Sequence, residues 1–393
     1  MKQKRITSFM LTVIMVLSML LPTVVSAEDY NDKTEPANTK VIEVLGETEW
    51  SVIQTEIESI LAKEPDASIK ILGVGDNAVI RMTVDANPVQ GIGNALELQS
   101  DTSFEHVTLQ LQGQQSTNQS PNIAIFANGN KLHIAQDVKT VRVGDYSKSM
   151  FIFGGSKQTE VESTHLEVYG GTWAAVYGGS YRANCKDIYV HIDDNADVRN
   201  VYGGCYGAVT TGNIKIKYGS DANTHTAVMG GGHDIKGEEQ IADVTGEKIE
   251  IEILPGALLA EVNGAENGMI SCKDIYITVE KGARVINSVN GGATTSSAES
   301  GSLANGYWPG KTQYTAKSDI HVVFNGEGRL NETKAYSASV TGGGIWGHVE
   351  GDIDVTVNGC RICLRRLSQR RCNRQCQYYD KWRRLCRRAQ CRY

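Results

Sequence analysis

The sequence predicts an all-β chain wound as a β-solenoid from coils of about 25 residues, with a short helix capping the N-terminal end. Three observations carry that prediction. A Val-x-Gly-Gly phrase returns at a regular step. A second, alternating phrase returns between its copies. The chain holds 41 glycines and only 7 prolines, which suits many tight turns, while the every-third-residue glycine of collagen is absent.

The first phrase opens with Ile152-Phe153-Gly154-Gly155. It recurs with Val176, Gly178 and Gly179, then Val201, Gly203 and Gly204, then Val228, Gly230 and Gly231. Val262-Asn263-Gly264 follows, then Val289, Gly291 and Gly292, and finally Val340, Gly342 and Gly343. The steps are 24, 25, 27, 34, 27 and 51 residues. The 34 reads as one repeat with an insertion, and the 51 as two repeats run together. The glycines are expected to supply positive φ, so that the chain turns sharply after each valine.

The second phrase alternates apolar and polar residues. It reads "DIYVHI" from Asp187, "NIKIKY" from Asn213, "KIEIEI" from Lys248, "DIYITV" from Asp274, "DIHVVF" from Asp319 and "DIDVTV" from Asp352. Period two with β-branched residues marks a strand with one buried face. Such short strands at a fixed period cannot bury their inner faces alone. Stacked coil on coil at about 4.8 Å, they form long parallel sheets around an aliphatic core.

Upstream the valine–glycine phrase is missing, but alternation persists. "NALELQ" from Asn94, "HVTLQLQ" from His106, "NIAIFANG" from Asn122, "KLHIAQDV" from Lys131 and "TVRVGDY" from Thr140 predict earlier, less regular coils, so the solenoid is placed at 91–359. Residues 28–90 are assigned to an N-terminal cap containing a helix at 49–63. There Trp50, Ile53, Ile57, Ile60 and Leu61 share one face, and Pro65 follows. That helix would plug the open first coil, with Trp50 packing into the cap. Before it, Lys2, Lys4 and Arg5 precede an apolar run and then Val25-Ser26-Ala27. Residues 1–27 therefore read as a secretory signal peptide, placing the mature chain outside the cytoplasmic membrane, secreted or on the cell surface, with no membrane span left after cleavage.

Over roughly residues 90–359, the Val-Tyr-Gly-Gly and Asp-Ile-x-Val-x-Val phrases resemble those of the parallel β-helix surface proteins of Gram-positive bacteria, the pectate-lyase-like and adhesin-like repeat class. The resemblance implies a right-handed parallel β-helix exported to the cell surface. It does not imply a reaction.

At Cys360 the chemistry changes. From there to Tyr393 the chain holds six cysteines and eleven arginines, with no glycine or valine. The net charge of this stretch is +11, against −17 for everything before it. Read one base later, cysteine codons become valine and paired arginine codons become glycine. Coded suitably, the shifted tail restores a Val-Tyr-Gly-Gly phrase with its valine at Cys363, close to one coil step beyond Val340. A strand phrase likewise reappears at Cys376, the same distance beyond Ile353. The tail, 360–393, is therefore read as an out-of-frame segment without an evolved fold, on a chain cut short of its last coils. The alternatives are weaker. There is no histidine and no matched cysteine pair for zinc, an exported chain has little use for nucleic acid, and a disulfide knot remains the third reading.

Candidate chemistry is sparse. Asp187, Asn213, Asp274, Asp319 and Asp352 hold one coil position and could ligate calcium, but Lys248 breaks the series. The favoured reading is structural, a short side chain accepting backbone N–H bonds. Asp193, Asp194 and Asp197 form an acidic turn, a calcium cluster or a carboxylate set for lyase chemistry, with a solvated turn the favoured reading. "GGGHD" from Gly230 resembles a calcium-binding nonapeptide but does not repeat. No other cofactor is expected. Tyr177 and Tyr202 should stack, as an internal ladder or as a sugar-binding strip. The insertion at 293–318, with Tyr307 and Trp308, is the expected ligand-binding element. Cys185, Cys205 and Cys272 read as buried small apolar residues. No Ser/His/Asp order, phosphate loop or zinc motif stands out. The function expected is a non-catalytic surface rod binding host or matrix glycans or proteins. The alternatives are a β-helix polysaccharide lyase or glycoside hydrolase, and a decayed gene product.

Overall fold

A computed structural model describes residues 38–84, 92–113, 122–143, 150–233, 243–265, 270–293, 315–328, 339–343 and 348–358. The expected signal segment, the tail from Cys360, and Tyr307 and Trp308 lie outside these residues. No described helix is long and apolar enough to cross a membrane.

The fold is all-β, built from mostly parallel strands in stacked sheets. The longer sheet counts 13 strands among the described residues. It runs from Ser68–Val84 through Thr102–Glu105, Lys131–Ile134, Val161–Val168, Cys185–Ile192, Ile214–Tyr218, Lys248–Ile253, Asp274–Val279 and Asp319–Phe324 to Ile353–Val357. The second sheet counts 10, from Ile92–Glu97 through Asn122–Phe126, Met150–Phe153, Thr172–Tyr177, Asp197–Tyr202, Ala227–Met229 and Leu258–Ala265 to Arg284–Ala293. Glu327–Gly328 and Ser339–Thr341 both pair with this last strand. The chain alternates between the sheets, and from Met150–Phe153 to Arg284–Ala293 each pass adds one strand to each. This is a solenoid-like winding.

The register follows the phrase. Val176 pairs with Val201, Val201 with Val228, Val228 with Val262, and Val262 with Val289. The longer interval from Val228 to Val262 is thus one pass carrying extra sequence. The interval from Val289 to Val340 is also one pass, which corrects the reading of two repeats run together. Val289 pairs directly with Val340, and Asp274–Val279 pairs directly with Asp319–Phe324. Extra sequence enters between strands, where it leaves the ladder hydrogen bonds intact.

The first passes are built differently. Ser68–Val84, assigned from sequence to the cap, is hydrogen-bonded into the stack and spans two columns. Residues 69–72 pair with Thr102–Glu105, and residues 79–84 pair with Thr108–Gly113, which in turn pairs with Lys139–Val143. The helix Trp50–Leu61 precedes this strand. Its Ile53 and Ile57 are buried, while Trp50, Ile60 and Leu61 pack against the same core. The Trp50 ring lies 6.3 Å from that of Phe104, as cap packing requires.

Between the sheets lies one continuous aliphatic core. The long sheet contributes a column of isoleucines: Ile188, Ile214, Ile249, Ile275 and Ile320. The second sheet contributes the valines of the repeated phrase, with Val176, Val201, Val228, Val262 and Val289 all fully buried. Each such side chain stabilises the fold by roughly 1.5–3 kcal/mol.

The glycines at the corner act by size, not by handedness, and this corrects the sequence expectation. Among the described residues, none of the phrase glycines has positive φ; those that do are Gly46, Gly75, Gly129, Gly171, Gly207, Gly256 and Gly282. At Gly203 an added Cβ would overlap the carbonyl oxygen of Gly230 in the next pass and Cγ2 of Ile214. Gly230 meets Gly264 and Ile249 in the same way. Glycine is required because the backbone of one pass rests on that of the next while an isoleucine methyl fills the corner.

Candidate functional site

The two sheets turn different faces outward. On the second sheet the outer positions are occupied and covered. Phe126, Phe153, Tyr177 and Tyr202 stack in sequence, with ring centroids 4.9, 4.7 and 4.6 Å apart and planes within 13° of parallel. A second file of Tyr181, Tyr206 and His233 stands edge-on against the first, at 5.8 Å from Phe153, 5.5 Å from Tyr177 and 5.3 Å from Tyr202. Tyr177 and Tyr202 are only 5% and 7% exposed. Of the two readings of this pair, the structure places an internal ladder. Beyond Met229 the same column changes to amides. Asn290 donates to Asn263 Oδ1 at 2.8 Å, and the Thr341 hydroxyl donates to Asn290 Oδ1 at 2.7 Å.

The acidic ladder is a chain of side-chain to backbone bonds. Asp187 Oδ1 accepts the N–H of Asn213 at 2.8 Å, and Asn213 Oδ1 accepts that of Lys248 at 3.0 Å. Lys248 offers no acceptor, so the Asp274 N–H goes to the Glu247 carbonyl instead. The Asp319 N–H likewise goes to the Lys273 carbonyl and not to Asp274, and Asp319 Oδ1 takes up the pattern again with the Asp352 N–H at 2.8 Å. The turn acids do not converge. The Asp194 N–H donates to Asp193 Oδ1 at 2.8 Å, whereas Asp197 stands in the second sheet and accepts from Asn223 at 2.7 Å. Among the described residues no group of three or more His, Cys, Asp or Glu side chains is placed to hold a metal ion.

The outer face of the long sheet is half-open, and it carries the chemistry that sequence reading missed. Alternate residues of successive strands line up in two files. One runs Lys131, His165, Tyr189, Lys215, Glu250, Tyr276 and His321. The other runs His133, Glu167, His191, Lys217 and Glu252. The signal was present in the polar positions of "KLHI", "THLEVY" and "DIYVHI". Finding it requires the register that stacks them.

Glu167 is the centre of the first cluster. His133 Nδ1 donates to its Oε2 at 3.1 Å and His165 Nε2 to its Oε1 at 3.0 Å, with Lys131 Nζ 3.4 Å away. Burial alone would raise its pKa. The two imidazole hydrogen bonds and the Lys131 charge outweigh that and hold the carboxyl well below the usual carboxylate range. Beside it, burial and the Glu167 charge raise the pKa of both Tyr169 and Tyr189, the latter to about 12. Both phenols therefore stay protonated. The Tyr169 hydroxyl donates to His191 Nδ1 at 3.0 Å. The opposite nitrogen of His191 faces Asp193 Oδ2 at 3.3 Å, misaligned for a hydrogen bond.

Further along the same face the charges neutralise one another. Lys215 and Lys248 reach Glu250 at 3.3 and 2.6 Å, and Lys217 reaches Glu252 at 3.8 Å. Burial would raise the Glu250 pKa, but the two lysines lower it. Then comes a ring pair. Tyr276 and His321 stack at 4.6 Å with planes 14° apart, and Tyr276 is 37% exposed. At the other end of the file His165 and Tyr189 lie 4.6 Å apart.

Chemically, this face offers fixed hydrogen-bond donors, paired charges and half-exposed rings. Two of its carboxyls, Glu167 and Glu250, are held below the ordinary carboxylate range, whereas general acid catalysis by a carboxylic acid needs a raised one. No protein family, curated protein or solved structure matches this chain.

Proposed function

We propose that this chain is an exported bacterial surface solenoid, right-handed and wound on a repeating unit of about 25 residues, that binds extended glycans along the outer face of its long sheet without chemically altering them. The observation that carries the reading is the file from His165 to His321, with a ring pair at each end and paired charges between. Strands repeat at about 4.8 Å, close to the length of one sugar in an extended chain. A linear glycan lying along the winding would thus meet the file in step, stacking on rings and bonding to charged heads between them. The resemblance of the repeat phrases to the pectate-lyase-like and adhesin-like class supports export and handedness, as does the signal-like start. The tail from Cys360 is read within this proposal as an out-of-frame segment, and the coding DNA around codon 360 tests it.

A lyase or hydrolase is the second reading, since Glu167, two imidazoles and Lys131 converge on one outward face. The depressed pKa of Glu167 weighs against it. The test is affinity electrophoresis of the chain through gels containing linear acidic or neutral polysaccharides. Retardation that Tyr276→Ala abolishes supports binding, and unretarded migration in every gel removes it. A steady rise in ultraviolet absorbance on incubation with polygalacturonate and calcium would overturn the non-catalytic part.

A further inference from the structure

Cys185 and Cys205 stand at the two ends of a single pass. Cys185 opens the long-sheet strand Cys185–Ile192, and Cys205 follows directly on the repeated phrase that closes the pass. The backbone bridge Cys185–Thr210 shows that one full turn has been completed by Thr210. Both sulfurs are in the core, with Cys185 1% and Cys205 0% exposed. Cys205 Sγ lies beneath Gly179, where an added Cβ would strike it.

Several donors converge on that one sulfur. The Ser180 N–H reaches it at 3.4 Å and the Thr210 hydroxyl at 3.4 Å. Cys185, a free thiol like Cys205, comes to the same place: the Val209 carbonyl oxygen accepts the Cys185 N–H at 3.1 Å and lies 3.7 Å from Cys205 Sγ. Burial raises the Cys205 pKa, but these donors outweigh it and lower the value. The Cys185 pKa is raised, first by its bond to Cys205 and then by burial. The two thiols thus differ in acidity within the folded core. Cys272 has a different environment, against the Ser318 hydroxyl at 3.3 Å.

We propose that Cys185 and Cys205 form a disulfide that clasps one turn of the winding into a covalent ring. The bond forms as the chain coils, because neither sulfur is open to solvent afterwards. A small disulfide oxidant, such as oxidised glutathione, supplies the chemistry. One of the two thiols, ionised while still open to solvent, attacks its S–S bond and releases one thiolate. The other, once deprotonated, then attacks the mixed disulfide at the protein sulfur and releases the second. Two protein S–H bonds and one oxidant S–S bond break. One protein S–S bond forms, and the two electrons and two protons leave with the oxidant as two thiols. The inference rests on the core geometry and is independent of glycan binding.

The experiment refolds the full chain from denaturant in oxidised and reduced glutathione, alkylates remaining thiols, and maps tryptic peptides without reduction. The expected product links the peptide 183–186 to the peptide 200–215, with Cys272 alkylated. Refolded chain whose Cys185 and Cys205 are both alkylated, or are linked to Cys272 or to the tail cysteines, overturns the proposal. Because tail cysteines could exchange, the same mapping is run with all six tail cysteines replaced by serine. Loss of the 183–186 to 200–215 link there would overturn it as well. If the link forms but no glycan retards the chain, the clasp stands and the glycan reading fails.

Discussion

Two ring pairs in this molecule have nearly the same geometry and opposite surroundings. Tyr177 and Tyr202, on the second sheet, stack at 4.6 Å and 5°. Tyr276 and His321, on the long sheet, stack at 4.6 Å and 14°. The first pair is roofed by Tyr206 and His233 and is nearly inaccessible. The second has only the Lys248 ammonium over the Tyr276 ring, 6.0 Å from its centroid, and faces outward, Tyr276 being 37% exposed. A parallel strand pattern places rings in register whether or not anything covers them. Cover, not stacking, separates a second core from a surface that can meet a ligand.

Substitutions can break this contrast at either end. Tyr177→Ala should cost most, about 3–5 kcal/mol, because it opens a cavity in a packed aromatic column. Chemical denaturation would measure it, and a cost under about 1 kcal/mol would mean that the column is not a core. Asn290→Ala tests the amide half of the same column. It leaves the buried Asn263 carbonyl oxygen without its donor, while the Thr341 hydroxyl keeps the Gly343 carbonyl at 3.0 Å, so about 1–3 kcal/mol should be lost.

On the open face the effects should be smaller and tied to pH. Glu167 has its folded-state pKa depressed, so its contribution is present above the ordinary value of 4.5 and is lost as pH falls through the folded value. Glu167→Gln should therefore destabilise by about 1–2 kcal/mol at neutral pH. The gap to the parent chain should narrow as pH is lowered below 4.5. A gap that is flat or widens in thermal melts across that range would show that the imidazole contacts do not stabilise the ionised form. Tyr276→Ala should change stability least, within about 0.5 kcal/mol, while removing glycan retardation. A large loss of stability there would make the outer ring pair structural and erase the distinction between the faces.

How far the sequence can be read follows from what each pattern constrains. The Val-x-Gly-Gly and Asp-Ile phrases reveal the inner columns directly, because a residue facing the core must be apolar in every pass. The helix at Trp50–Leu61 is legible from its apolar face. Spacing alone does not distinguish a long excursion from an additional pass, and so the interval from Val289 to Val340 misleads. The glycines suggest backbone handedness because composition does not reveal that the next pass rests on them. The outer files stay hidden for a further reason. Alternation shows that His133, His165 and Glu167 leave the core, but only the register shows that they meet. Tyr307 and Trp308, the expected recognition residues, lie outside the described residues, so the face on the long sheet now carries the binding proposal.

The corner glycines have an evolutionary corollary. From Gly178 to Gly291, the first glycine of each phrase interlocks with its successor through a main-chain oxygen and an isoleucine methyl, features that these passes present alike. Any such pass can therefore seat upon any other. Unequal crossing-over between copies of the phrase could lengthen or shorten the protein by whole turns while preserving each joint. The surface pattern would be reshuffled and the scaffold left unchanged.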